Sequence, residues 1–155
     1  MQSSITHFFC LTVGLIMVAG CDASGKRPAD MPKLYPTTIT ITQADAPLAD
    51  AMVNMRLADG SQSKWYSGGA TDVNGVVTIL TQGGSPGAPA GKYKVLVTKV
   101  TSEPNPRDPE LSLTFSLVEP QYADFARTPL EIEIKAEPAN SFTLDVGPAY
   151  KMEAR

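Results

Sequence analysis

Apolar side chains occupy every second position in several short stretches of the chain. These stretches are 39–41, 53–57, 93–97, 111–117, 130–134 and 142–146. Successive side chains of a strand point to opposite faces, so each stretch predicts a strand with one apolar and one polar face. Two sheets of this kind bury their apolar faces against each other, and no helical period competes. The pattern therefore predicts an all-β fold, a β-sandwich. Because prolines adjoin 111–117, that stretch is also compatible with an extended loop.

A tight turn is predicted within residues 69–80, GATDVNGVVTIL. Asn74 and Gly75 tolerate the positive φ that both central residues of a type I′ turn require, and they therefore predict a β-hairpin. After the turn, Val77 and Ile79 share one strand face. The glycine pair 68–69 just before it predicts a bulge or a kink.

The N-terminus has the pattern of an export signal. Residues 8–18 are apolar and uncharged, too short to cross a bilayer core of roughly 30 Å. They end in Val18-Ala19-Gly20-Cys21, which resembles the lipobox of bacterial lipoproteins, although residues 1–7 lack the usual Lys or Arg. The resemblance implies cleavage before Cys21 and lipidation of its thiol. The alternatives are an ordinary secretory signal that ends in Cys, or a buried apolar strand.

These features predict a domain order and a location. Residues 1–20 are interpreted as a signal peptide, 21–34 as a flexible tether, 35–147 as the β-sandwich domain and 148–155 as a C-terminal tail. Acyl chains on the cysteine would hold the domain on a membrane, in the cell envelope, facing the periplasm or the exterior. The choice between inner and outer membrane stays open.

Composition argues against several functions. The net charge is −3 and basic residues are scattered, which argues against a nucleic-acid partner. The sole histidine, His7, and the second cysteine, Cys10, lie in the predicted signal peptide, so the mature domain has neither a disulfide nor a His or Cys ligand for a metal. We predict no catalytic residues, no metal and no cofactor. The motif 72–75 superficially resembles a calcium loop but lacks the Glu that ends an EF-hand.

Three motifs in order resemble carboxypeptidase regulatory-like (transthyretin-like, prealbumin-like) domains. Residues 45–53, DAPLADAMV, resemble the family's G-x-P-L-x-G-A-x-V opening, except that Asp45 and Asp50 stand where the family usually has glycine. Residues 71–75, TDVNG, match its T-D-x-x-G turn, and residues 89–95, PAGKYKV, match its p-x-G-x-Y-x-V strand. The resemblance implies an Ig-like, prealbumin-like Greek-key sandwich of about seven strands, usually without enzymatic activity.

The C-terminal part of the chain is similar to small lipoproteins common in planctomycete-type bacteria. The similarity rests on residues 122–124, 128–130 and 140–146. The related fold includes a hydroxyisourate hydrolase, but its histidines and its C-terminal Tyr-Arg-Gly-Ser are not matched by residues 150–153.

Trp65 and Tyr66 are the candidate ligand contacts, because aromatic rings can stack on a sugar. Adjacent strand residues point to opposite faces, so the pair forms one platform only if the backbone is bulged there. Otherwise these rings cover a sheet edge or the core, and Tyr122 and Phe125 are expected to plug the end of the sandwich. The leading hypothesis is a non-catalytic, lipid-anchored adhesion, scaffold or interaction module with an unknown protein or glycan partner. The alternatives are a carbohydrate-binding accessory domain and a transthyretin-like hydrolase.

Overall fold

The computed structural model describes residues 28–153, so the lipobox and the lipidation site Cys21 lie outside the described residues. Nearly all regular structure in this range is β, with one 3₁₀ helix, η1 (Pro120–Ala123). Along the same range no helix has the length and apolar character needed to cross a bilayer. In chain order the strands are β1 (Leu34–Tyr35), β2 (Thr37–Gln43), β3 (Ala46–Pro47), β4 (Met52–Leu57), β5 (Ser67–Ala70), β6 (Val76–Thr78), β7 (Leu80–Thr81), β8 (Ser85–Pro86), β9 (Ala88–Pro89), β10 (Gly91–Thr98), β11 (Val100–Asn105), β12 (Asp108–Ser116), β13 (Glu131–Ile134), β14 (Asn140–Asp145) and β15 (Met152–Glu153).

The first main sheet has the order β13-β10-β4-β5-β7-β8, with antiparallel neighbours. Alternation decides which face is buried. In β4, Val53 and Met55 are buried while Asn54 and Arg56 are exposed. Arg56, on the outer face of this sheet, is one of the residues of the candidate site.

The second main sheet has the order β14-β2-β3, and β6 pairs with β2 as well. The strands β2 and β14 run parallel in an unbroken register from Thr37↔Asn140 to Thr42↔Asp145. The apolar faces of the two sheets form one core, which contains Ile39, Ile41, Leu48, Ala51, Val53, Met55, Val77, Ile79, Ala88, Tyr93, Val95, Val97, Val118, Tyr122, Leu130, Ile132, Ile134 and Val146. The predicted all-β Greek-key sandwich is confirmed, although its sheets are divided into more and shorter strands than about seven.

The turn at Asn74-Gly75 differs from the predicted type I′ hairpin. Gly75 has φ +72°, but Asn74 does not have positive φ. The carboxylate of Asp72 accepts the backbone N–H groups of Asn74 and Val76, each at 2.9 Å, so a side chain sets the loop geometry. The strand after the turn pairs with β2 and not with β5, and the turn therefore connects the two sheets.

The glycine pair before the turn does not form the predicted bulge. The ladder between β4 and β5 keeps a regular register through Gly68 and Gly69. A Cβ on Gly68 would lie 2.4 Å from the Val53 carbonyl oxygen, and one on Gly69 would lie 2.7 Å from a methyl of Val77. The glycines therefore allow close packing within and between the sheets.

The predicted strand at 111–117 exists as part of β12, but it does not belong to the sandwich. It forms a hairpin with β11, and Leu111 at the far part of this hairpin is 56% exposed. Near the base of the hairpin, β15 pairs with β12, and the Lys151 ammonium group lies 4.6 Å from the centre of the Phe115 ring.

Both ends of the described range also contain paired residues. Leu34 in the predicted tether and Met152 in the predicted tail each belong to a short strand. The division of the chain into signal, tether, domain and tail stays a prediction.

Candidate ligand-binding groove

Trp65 lies in a bend, and Tyr66 lies between this bend and the start of β5. The strand rule of opposite faces therefore does not apply to the pair, and both side chains line the same recess of about 190 Å³. Trp65 is half-buried, whereas Tyr66 is 66% exposed. The two rings were expected to share one site only if the backbone departs from a regular strand. The backbone does depart from a regular strand here, because both residues precede β5.

The loop between β4 and the bend is held by local hydrogen bonds. The carboxylate of Asp59 accepts the Ser61 backbone N–H at 2.8 Å, and Gly60 has φ +77°. The Ser63 hydroxyl accepts the Trp65 backbone N–H at 3.0 Å and lies 3.0 Å from the Trp65 carbonyl oxygen. Two short side-chain turns thus fix the backbone on which the Trp65 ring is mounted.

Phe125, which was expected to plug the end of the sandwich, lines the recess together with Trp65. It follows η1, which contacts β10. The Lys94 ammonium group donates to the Phe125 carbonyl oxygen at 3.2 Å and lies 5.2 Å from the ring centre. Tyr122, by contrast, is 8% exposed and belongs to the core, as a plugging residue would.

A second recess of about 200 Å³ adjoins the first on the outer face. Met55, Arg56 and Tyr66 line both recesses, so the two are neighbours with these residues between them. We call the combined feature the groove. The residues that line it are Asn54, Met55, Arg56, Leu57, Gly60, Ser61, Gln62, Ser63, Trp65, Tyr66, Ser67, Tyr93, Leu96, Thr98, Ala123 and Phe125.

The groove has one charged lining residue, Arg56, and no carboxylate among the residues that line it. Over residues 28–153 the guanidinium of Arg56 makes no ion pair. Lys64 beside the groove is paired with Asp30, and its ammonium group lies 5.0 Å from the centre of the Trp65 ring. Arg56 is therefore the charged group that the groove presents to a ligand.

The buried hydroxyl of Tyr93 in the groove is already engaged. The Tyr93 hydroxyl donates to the Pro89 carbonyl oxygen at 3.0 Å, and burial raises the pKa of Tyr93 above its ordinary value. Between residues 28 and 153, no group of three or more His, Cys, Asp or Glu side chains is placed to hold a metal ion. The arrangement offers aromatic faces, hydroxyl and amide groups, and one guanidinium.

Comparisons with known proteins give a likeness in structure alone. No family model matches the chain, and no curated protein matches it. The major pilin subunit BcpA of Bacillus cereus, in its D312A variant, superposes with a TM-score of 0.44 at 15% identity, over 74% of this chain and 30% of that one. A 9R-lipoxygenase from Cyanothece superposes with a TM-score of 0.42 at 15% identity, over 79% of this chain and 18% of that one. The chain thus spans less than a third of either protein, and a likeness at this level assigns no function to it.

Proposed function

We propose that the chain is a non-catalytic, lipid-anchored interaction domain of the cell envelope and that its groove binds a glycan. The observation that carries the proposal is the convergence of three aromatic side chains, Trp65, Tyr66 and Phe125, around one recess. Aromatic rings present flat apolar faces that match the C–H face of a sugar ring. Beside these rings, the Ser61 hydroxyl and the Gln62 amide supply donors and acceptors for sugar hydroxyls.

The resemblance to carboxypeptidase regulatory-like domains supports the assignment of the fold family. Asp45 and Asp50 occupy the two positions of the opening motif where that family usually has glycine. Both have left-handed backbone conformations, with φ of +62° and +51°. This conformation is the one that glycine adopts at low cost and that Asp tolerates better than most residues. The two departures in sequence thus keep the backbone geometry of a glycine motif.

The lipobox pattern supports the location. Lipidation of Cys21 would place the groove outside the cytoplasm, where envelope and extracellular polysaccharides are accessible. The short tether before β1 would keep the domain close to the membrane surface.

A glycan array probed with the full-length protein in detergent tests the proposal. We expect selective binding to a subset of glycans, and Trp65→Ala should weaken it at least about tenfold, a loss of about 1.4 kcal/mol. Tyr150→Ala is the matched control, because this tyrosine lies outside the groove near the C-terminal strand. Loss of glycan binding in both variants, or in neither, would contradict the assignment to the groove. Turnover of hydroxyisourate by the purified protein would instead establish the hydrolase alternative.

A further inference from the structure

We infer that the groove selects acidic sugars and that Arg56 recognises the carboxylate of a uronic acid residue. This inference rests on the glycan-binding function proposed above. It adds the chemical class of the ligand, an acidic sugar, and the residue that binds its carboxylate, Arg56.

Arg56 stands where the two recesses meet. It belongs to the exposed face of β4, and its side chain lines both recesses. Because Ser67 pairs with Met55, the preceding residue Tyr66 comes beside Arg56 at the end of this ladder. A sugar ring against the Tyr66 ring would therefore present its substituents to the guanidinium. A planar guanidinium binds a carboxylate through two parallel hydrogen bonds, which neither a hydroxyl nor an ester accepts in the same way.

A second cation lies beside Arg56. Lys94 is directly opposite Arg56 in the β4–β10 register, and its ammonium group lies 5.2 Å from the centre of the Phe125 ring. Of the nearby acids, Asp124 accepts from the Arg127 guanidinium at 2.8 Å, and Glu131 lies across Lys94 from Arg56, on the side away from β4.

Two further acids border the groove beside Trp65. Asp30 forms an ion pair with Lys64, and the carboxylate of Asp59 accepts the Ser61 backbone N–H. Within residues 28–153 the Arg56 guanidinium has no ion-pair partner, and no carboxylate is among the residues that line the groove. The guanidinium is therefore the charged group that a carboxylate entering the groove would meet.

The shape of the groove favours a chain over a single sugar. Each recess, at about 190 and 200 Å³, is smaller than the roughly 300–1,000 Å³ of sites that enclose a drug-sized ligand. Two small recesses joined at a guanidinium suit a linear oligosaccharide with one ring in each recess and a carboxylate between them.

The test compares a short oligogalacturonate with its methyl ester, which keeps the rings and removes the charge. Calorimetry with the full-length protein in detergent should show at least about tenfold tighter binding of the acid, since hydrogen bonds to charged groups are stronger than neutral ones. Arg56→Gln should abolish this difference, and Arg56→Lys should restore only part of it because the ammonium lacks the planar fork. Arg107→Gln, a change at the exposed tip of the β11–β12 hairpin, is the matched control and should bind like the parent protein. Added salt should weaken binding of the acid and leave that of the ester unchanged.

The outcomes separate this inference from the proposed function. Equal binding of acid and ester, both weakened by Trp65→Ala, would overturn acid selection and leave the glycan-binding groove intact. Failure of the acid to bind would overturn the inference, while neutral glycans retained on the array would still support the proposed function. If Arg56→Gln weakens the binding of the acid and of its methyl ester equally, at an unchanged unfolding temperature, Arg56 contacts the sugar but does not distinguish a carboxylate from an ester. That result would also overturn the inference.

Discussion

Substitution of Gly75 tests the connection between the two sheets. This glycine has φ +72°, and a Cβ on it would lie 2.5 Å from the Ile41 carbonyl oxygen and 2.9 Å from the Leu48 backbone nitrogen. Those atoms cannot move easily, since Leu48 donates to the Ile41 carbonyl at 2.9 Å and Ile41 donates to the Gly75 carbonyl at 2.8 Å. Gly75→Ala therefore adds a steric overlap with backbone to the strain of a left-handed residue.

A second glycine separates the two contributions. Gly83 has φ +85°, but a Cβ there would meet no atom within 4 Å. Gly83→Ala should cost only the left-handed strain, about 1–2 kcal/mol. Gly75→Ala should cost about 2–5 kcal/mol, because overpacking against a fixed neighbour adds about 1–3 kcal/mol.

Urea unfolding of the two variants and the parent protein measures the difference. We expect a clearly lower midpoint for Gly75→Ala than for Gly83→Ala, with similar m-values. Equal losses in the two variants would refute the argument that the backbone of β2 closes over Gly75.

Three other predictions concern the anchor, a buried hydroxyl and an acid-sensitive turn. Cys21→Ser should move the protein from the membrane to the soluble fraction, and unchanged partitioning into detergent would show that the thiol is not the attachment point. Thr71→Val should lower the free energy of unfolding in urea by about 1–3 kcal/mol, because the buried Thr71 hydroxyl accepts the Ala51 backbone N–H at 2.8 Å and donates to the Leu48 carbonyl oxygen at 2.6 Å. The control Thr78→Val, at an exposed strand position, should lower it by less than about 0.5 kcal/mol. Hydrogen bonds from backbone N–H groups, chiefly that of Val76 and secondly that of Asn74, hold the pKa of Asp72 below its ordinary 3.8. The stability that the Asp72 carboxylate contributes to the fold is therefore fully present above pH 3.8 and is lost as the pH falls through the lowered pKa. The stability gap between the parent protein and Asp72→Asn should therefore be constant above about pH 5 and close in more acidic buffer; a gap independent of pH would contradict the role of the charge.

The sandwich was predictable because alternation is a local signal with a large energetic consequence. In β4 and β10 every second residue is apolar, and a shift by one position would expose the whole apolar set. The same signal predicted β12 as a strand but not its position. Alternation shows that Leu111 and its neighbours share a face, but it does not show what covers that face.

The turn and the groove depend on information that alternation does not contain. The turn type was wrong because the Asp72 carboxylate, and not the Asn74-Gly75 pair alone, determines the loop. Trp65 and Tyr66 share a recess because β5 begins at Ser67, the residue after Tyr66, so that neither residue belongs to a strand. The exact boundaries of strands are the feature that a sequence pattern predicts least well. Phe125 reaches the same recess only because η1 docks on β10, which is a tertiary contact.

Arg56 was missed for a different reason. An isolated basic residue on the polar face of a predicted strand is normally solvated surface, and its importance follows only from the recesses on both sides of it. In the same sheet, Glu131 and Glu133 on the polar face of β13 are exposed in this ordinary way.

The parallel pairing of β2 with β14 determines how the domain bears tension. The chain enters β2 at one end of this ladder and leaves β14 at the other. A pull between the two termini therefore loads the ladder in shear, so that its hydrogen bonds must break together and not one after another. In a domain that is tethered at its N-terminus and pulled at its C-terminus, the force would thus act along the parallel β2–β14 ladder, whose hydrogen bonds resist it together.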